Sequence, residues 1–130
     1  REAPVNSIWE GSGNIMCLDV LRSMQREKAA IPALLAELEH AKGANSALDT
    51  AADTLMDELN DTDDLEFRAR RITEMMAVTW QGALLVRHAP AAVSDAFCAS
   101  RLGTRWSGAY GGLPSSVDFG AIIDRTRPGE

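Results

Sequence analysis

Lysine vanishes from this chain after residue 42, cysteine occurs twice, and no apolar run is long enough to matter to a membrane. Each shortage excludes something. A spanning helix needs roughly 18 or more consecutive apolar residues, and no stretch approaches that. The opening Arg1-Glu2-Ala3-Pro4 lacks a hydrophobic targeting core, so it does not read as a secretory signal. Cys17 and Cys98 stand far apart in helical patterns, which is unlike a small secreted disulfide scaffold. Each reads instead as a small core residue on an apolar helix face. His40 and His88 do not join either cysteine at metal-ligand spacing, so no zinc site is expected. No strand pattern, internal repeat or low-complexity linker competes with a helical reading.

What is present is a 130-residue chain, 45% hydrophobic, enough for one domain with a real core. Its net charge of −6 hides an uneven distribution. Residues 1–26 carry three basic and three acidic side chains; residues 27–66 set two lysines against eleven acids; residues 67–130 hold eight arginines against five acids. Arginine alone in the last region suits bidentate contacts to phosphate or carboxylate. The same arginines could equally pair with the acidic middle inside a bundle.

The helical pattern is continuous. Loop residues lead to a helix expected over residues 14–30, with Ile15, Leu18, Leu21, Met16, Val20 and Met24 forming a wide apolar face. Pro32 either opens a second helix or kinks the first. Leu34, Leu35 and Leu38 continue the stripe to Gly43, a candidate C-cap. Asn45 or Ser46 starts a helix bearing Leu48, Ala52, Leu55, Met56 and Leu59. Asn60-Asp61-Thr62-Asp63-Asp64 is a turn and cap cluster, without the glycine and glutamate of an EF-hand. Leu65, Ala69, Ile72, Met76, Thr79, Ala83 and Val86 then alternate steps of four and three, a seam suited to a bundle core. Ala89-Pro90 ends that helix, and another runs to Leu102 with Gly103 as its cap. Trp106, Tyr110 and Leu113 are candidate anchors in the glycine-rich stretch that follows, and Asp118 caps a last short helix.

Function is concentrated at Ser7-Ile8-Trp9-Glu10-Gly11-Ser12-Gly13-Asn14, where one carboxylate sits between an indole and a glycine-rich turn. Glycine lets a backbone approach a ligand, and a helix N-terminus offers free amides and the positive dipole end. An acid held there could serve as a general base with a tuned pKa. Alternatively, Ser12 or Asn14 simply caps a helix, with Glu10 complementing the dipole. Gly11 and Gly13 do not make a dinucleotide fingerprint, because no strand precedes them and the third glycine is missing.

The run Trp9-Glu10-Gly11-Ser12-Gly13-Asn14-Ile15 with Leu18-Asp19-Val20-Leu21-Arg22 resembles the C-terminal signature of the acyl-CoA dehydrogenase flavoprotein family. It is similar more narrowly to the alkylation-response (AidB-like) branch, as are Gln81-Gly82-Ala83-Leu84-Leu85-Val86-Arg87-His88-Ala89-Pro90 and the run from Ser94 to Gly103. The resemblance implies an all-α fold, the C-terminal helical bundle of a longer flavoprotein, with residues 1–13 as a flavin-site loop and 14–130 as the bundle. It implies that Glu10 removes the α-proton of an acyl-CoA thioester while FAD takes up hydride. It implies flavin contacts from Ile8, Trp9, Glu10, Gly11, Ser12, Gly13, Asn14, Ile15, Met16, Cys17 and Leu18, and substrate contacts from Gly11 and Arg22. Trp9 and Ser12-Gly13 replace the Tyr and Thr-Ser common in the family, and the larger indole would narrow the acyl pocket. The branch further implies double-stranded DNA as a candidate partner for Arg68, Arg70, Arg71, Arg87, Arg101 and Arg105, through sequence-independent phosphate contacts. A cytoplasmic homotetramer is the expected setting, with a purely architectural bundle as the competing role. The lone chain is expected neither to hold FAD tightly nor to turn over acyl-CoA.

Overall fold

The structure, a computed structural model, describes residues 13–103 and 112–127. Its elements are helices α1 (Gly13–Arg26), α2 (Ala30–Glu39), α3 (Ser46–Asn60), α4 (Leu65–His88), α5 (Ala91–Phe97) and α6 (Phe119–Arg125), with a π-helical turn, Cys98–Leu102, continuing α5. Among the described residues there is no strand, so the chain is all-α as expected.

α4 is the axle. α1, α2, α3, α5 and the π-turn all pack on it, while α6 rests on α5. The reason lies in the seam, because Ala69, Ile72, Thr79 and Ala83 are all buried, with Ile72 and Ala83 fully so. A helix surrounded on several sides needs small residues where neighbours come closest. Gly82 marks such a point: a Cβ there would lie 3.0 Å from Leu102 Cδ1 and 3.2 Å from Leu48 Cδ1. The main core joins Leu38, Ala41, Leu48, Leu55, Ala83 and Cys98, drawn from α2 and the turn after it, α3, α4 and the π-turn.

Turn chemistry sets the boundaries. Pro32 falls in the first turn of α2, where its missing N–H costs nothing. α1 accordingly stops at Arg26, short of the expected residue 30. α2 ends at Glu39, not at Gly43. Tight bonds from Ala41 N to Leu38 O (3.0 Å) and Lys42 N to Glu39 O (3.3 Å) prolong the turn. Gly43 then reverses the chain at φ +81°, a left-handed conformation natural to glycine. Asn45 caps α3, its Oδ1 accepting from Ala47 N (3.1 Å) and Leu48 N (3.3 Å). Asp118 does the same for α6 through Ala121 N at 3.0 Å.

Two expectations about apolar faces need correction. Ile15 and Met16 are 57% and 55% exposed, and α1 buries Cys17 and Leu21 instead. Leu113, an expected anchor, is exposed because nothing among the described residues covers it. Trp106 and Tyr110 lie outside the described residues. Cys17 and Cys98 are free and buried, in keeping with their reading as core residues.

Candidate functional site

The expected site begins where α1 begins. Ile8, Trp9, Glu10, Gly11 and Ser12 lie outside the described residues; Gly13 to Leu18 and Arg22 lie within. Gly13, Asn14, Ile15 and Met16 form the first turn of α1 and are exposed. No acidic residue lies in that turn, and a helix N-terminus presents amide donors and a positive dipole end. Cys17 points the other way, into a small cluster with Leu21 and Ala69 that seats α1 on α4. Leu18 packs against that cluster and is half-buried. Arg22 pairs with Asp19 one turn back at 2.8 Å, both side chains open to solvent, an arrangement worth only tenths of a kcal/mol.

The side chain of Asn14 is not free. Its Oδ1 accepts from Arg70 Nε at 3.1 Å and Nη2 at 2.8 Å. This contact joins residues 56 positions apart, and no periodicity or motif in the sequence announces it.

Three of the arginines assigned to DNA, Arg68, Arg71 and Arg87, sit against carboxylates. Arg68 is the most enclosed, with a side chain only 14% exposed. Its Nη1 donates to Glu58 Oε2 (2.7 Å) and Glu58 O (3.3 Å), its Nη2 to Asp61 O and Asp63 O (each 2.7 Å), and its Nε to Asp63 O (3.1 Å). Arg68 therefore ties down the end of α3 and the turn into α4, where Asp64 takes a left-handed φ of 51°. The acidic run followed by arginine was the available signal for this clasp. Arg71 shares the Glu58 carboxylate, and Arg87 pairs with Glu37 on α2. Pairing with the acidic middle, the alternative that the sequence left open, is what Arg68, Arg71 and Arg87 do. Arg101 lines a groove with Glu74 between α3, α4 and the π-turn, and Arg105 lies outside the described residues.

Two grooves flank this frame. One of about 400 Å³ runs between α1, α2 and α4 and is lined by Met16, Val20, Met24, Ile31 and Met76. The other, about 520 Å³ between α2 and α3, contains none of the anticipated residues. Among the described residues no group of three His, Cys, Asp or Glu could hold a metal, and no helix is long and apolar enough to cross a membrane. Cys98, fully buried beside Asp95, has its thiol pKa raised above the usual value, chiefly by burial and then by that carboxylate.

Among the described residues the chain is all-helical, and its glutamate-glycine run precedes a helix docked on a longer one, the arrangement expected from the resemblance to acyl-CoA dehydrogenases. The sequence is 38% identical over 105 residues, 81% of the chain, to AidB of Escherichia coli (strain K12), whose name assigns it provisionally to the acyl-CoA dehydrogenases. This segment belongs to the AidB-like acyl-CoA dehydrogenase family. It spans 19% of the length of that relative. No family model matches the chain, and no solved structure matches it significantly.

Proposed function

We propose that this chain supplies the proton-abstracting carboxylate and the C-terminal helical scaffold of an FAD-dependent acyl-CoA dehydrogenase. The observation that carries the reading is the 38% identity to AidB over 81% of the chain, joined to the Glu10-Gly11 run before α1. The described residues fit a flavin in part: residues 13–16 present polar and apolar groups to solvent at a helix N-terminus, whereas Cys17 is committed to the core.

Glu10 is the base. It takes the α-proton of the acyl thioester and becomes a neutral acid. The chemistry that FAD would supply when bound is uptake of the hydride from the β-carbon, so that the product would be an enoyl thioester. Gly11 would supply the close backbone approach to the acyl group, which glycine permits. Ser12, Gly13 and Asn14 would border the flavin, and Trp9 would narrow the acyl pocket. Arg22 reaches the CoA moiety, for which its exposed pair with Asp19 is no obstacle. DNA is left out of this reading because Arg68, Arg71 and Arg87 already face carboxylates of the same chain.

The test is anaerobic mixing of the full-length, flavin-loaded protein with acyl-CoA. The wild type is expected to bleach the flavin absorbance, and Glu10→Gln to slow bleaching about 100-fold or more. Equal rates in the two proteins would overturn the assignment. The 130-residue chain alone is expected to purify colourless.

A further inference from the structure

α1 is seated on α4 by apolar contacts that start only at Cys17, one turn in from its beginning. The first turn, residues 13–16, is exposed and would fray if nothing else held it, since its leading amides have no intrahelical acceptor. Arg70 holds it. Its guanidinium grips Asn14 Oδ1 through two donors, at 3.1 and 2.8 Å, and lies across the backbone at Gly13, where a Cβ would meet Nη2 at 3.2 Å. Arginine's planar fork is suited to such a two-donor grip on one oxygen. Arg70 is rooted in the second turn of α4, the helix on which the rest of the bundle packs.

What this turn controls follows from the covalent chain. Three residue steps separate Gly13 from Glu10, so the two Cα atoms stay within about 11 Å whatever the loop does. The orientation of the first turn therefore sets where the Glu10 segment leaves the bundle. Proton abstraction is sensitive to misplacement on the ångström scale, so slack at this root would be felt at the reacting carbon.

We propose that Arg70 is a positioning residue for the Glu10 base, acting through Asn14 to fix the first turn of α1. The proposal rests on the reading of Glu10 given above. It assigns Arg70 to the acyl-CoA reaction and not to nucleic acid.

Two measurements test it. In the 130-residue chain, hydrogen exchange at the Cys17 and Leu18 amides, which close the first turn, is expected to quicken at least tenfold in Arg70→Met. Amides of α3 should be unchanged. Unaltered protection at Cys17 and Leu18 would overturn the tether. In the full-length, flavin-loaded protein, Arg70→Met is expected to slow flavin reduction by acyl-CoA about tenfold, with KM and flavin content preserved. In an Asn14→Leu background the same substitution should add less than twofold, because the grip is already lost. An unchanged rate, or an equal loss in both backgrounds, would sink the positioning role. Should Arg70→Met not fold, Arg70→Lys decides: a single donor nitrogen in place of the two-nitrogen fork should give a loss of about threefold, and wild-type rates would refute the proposal. A wild-type protein whose flavin acyl-CoA never reduces would condemn the reading of Glu10, while the exchange experiment would still decide the tether.

Discussion

Along its length α4 meets two differently built environments. Around Ile72, Thr79, Gly82 and Ala83 it is wrapped by α2, α3 and the π-turn, and Leu55, Ile72, Ala83 and Cys98 have no exposure at all. Around Leu65 and Ala69 its apolar contacts are with α1, which buries only Cys17 and Leu21 and leaves Ile15 and Met16 outside, while Arg68 and Arg71 reach the end of α3 by polar contacts. The first environment stabilises itself with this chain's own residues. The second is a helix resting on a narrow apolar strip, with its outer side available to further polypeptide or a ligand. Catalysis is proposed at the start of α1, so the chemistry is attached to the less buried element and braced by the more buried one.

The sharpest way to break this comparison is to open a cavity on each side of it. Leu55→Ala empties a fully buried site and should cost about 3–5 kcal/mol by urea unfolding. Leu21→Ala, in a cluster of three buried residues bordered by solvent, should cost about 2 kcal/mol, because neighbours and water can close around it. Equal losses would show one continuous core and remove the distinction.

Next in size is the clasp between α3 and α4. Arg68→Met strips the enclosed Glu58 carboxylate and the Glu58, Asp61 and Asp63 carbonyls of a shared donor, an expected loss of about 3 kcal/mol. Arg71→Met touches the same carboxylate from a side chain that is 61% exposed and should cost under about 1 kcal/mol. Matching values from the two variants in thermal unfolding would mean that burial of Arg68 contributes nothing.

The same division explains what could be read from the amino acids. The α4 seam was legible because its alternating steps of four and three pick out Ala69, Ile72, Thr79 and Ala83, all buried, although Phe67, Trp80 and Leu84 off the seam are apolar and exposed. The α3 start at Asn45 or Ser46 and the break at Pro90 were legible because their chemistry is local, whereas Pro32 suits either opening a helix or kinking one, and the structure shows the former. The buried face of α1 was not. Ile15, Met16, Leu18, Val20, Leu21 and Met24 surround much of its circumference, so only the partner helix selects Cys17 and Leu21. Gly82 reads as a weakness in a helix until Leu48 and Leu102 are seen against it. Arginines carry little label either: the acidic run before Arg68 hinted at its clasp, but nothing near Arg70 in sequence distinguishes a tether from a phosphate contact. The Glu10 run was legible as a motif, through family resemblance, although its geometry lies outside the described residues.

A smaller effect concerns pH. The Cys98 thiol has its pKa raised in the folded chain, chiefly by burial and then by Asp95. Below the ordinary thiol pKa, about 8.5, both folded and unfolded forms are neutral and the thiol contributes no pH dependence. As pH climbs beyond that value the unfolded chain ionises first, releases its proton and gains stability relative to the fold. The native state should therefore lose stability from about pH 8.5 upward, until the folded thiol itself ionises. Urea midpoints measured from pH 7 to 10 should fall more steeply for wild type than for Cys98→Ala. Parallel curves would show that the buried thiol is not the group responsible.

The smallest effect is expected on the outer side of α1, and it bears most directly on what that side is for. Ile15 is 57% exposed, so Ile15→Ala should leave the unfolding free energy of this chain within about 0.5 kcal/mol of wild type. A loss above 1 kcal/mol would mean that the chain already covers Ile15, for instance by self-association, which sedimentation at several concentrations would reveal. In the full-length protein the same substitution should weaken flavin retention on dilution, because Ile15 belongs to the exposed first turn proposed to face the cofactor. A neutral substitution in the chain that is costly in the whole protein is the signature of a surface built for something the chain does not itself contain. A substitution neutral in both would leave α1 as scaffold only and move the flavin contact back onto residues 8–12.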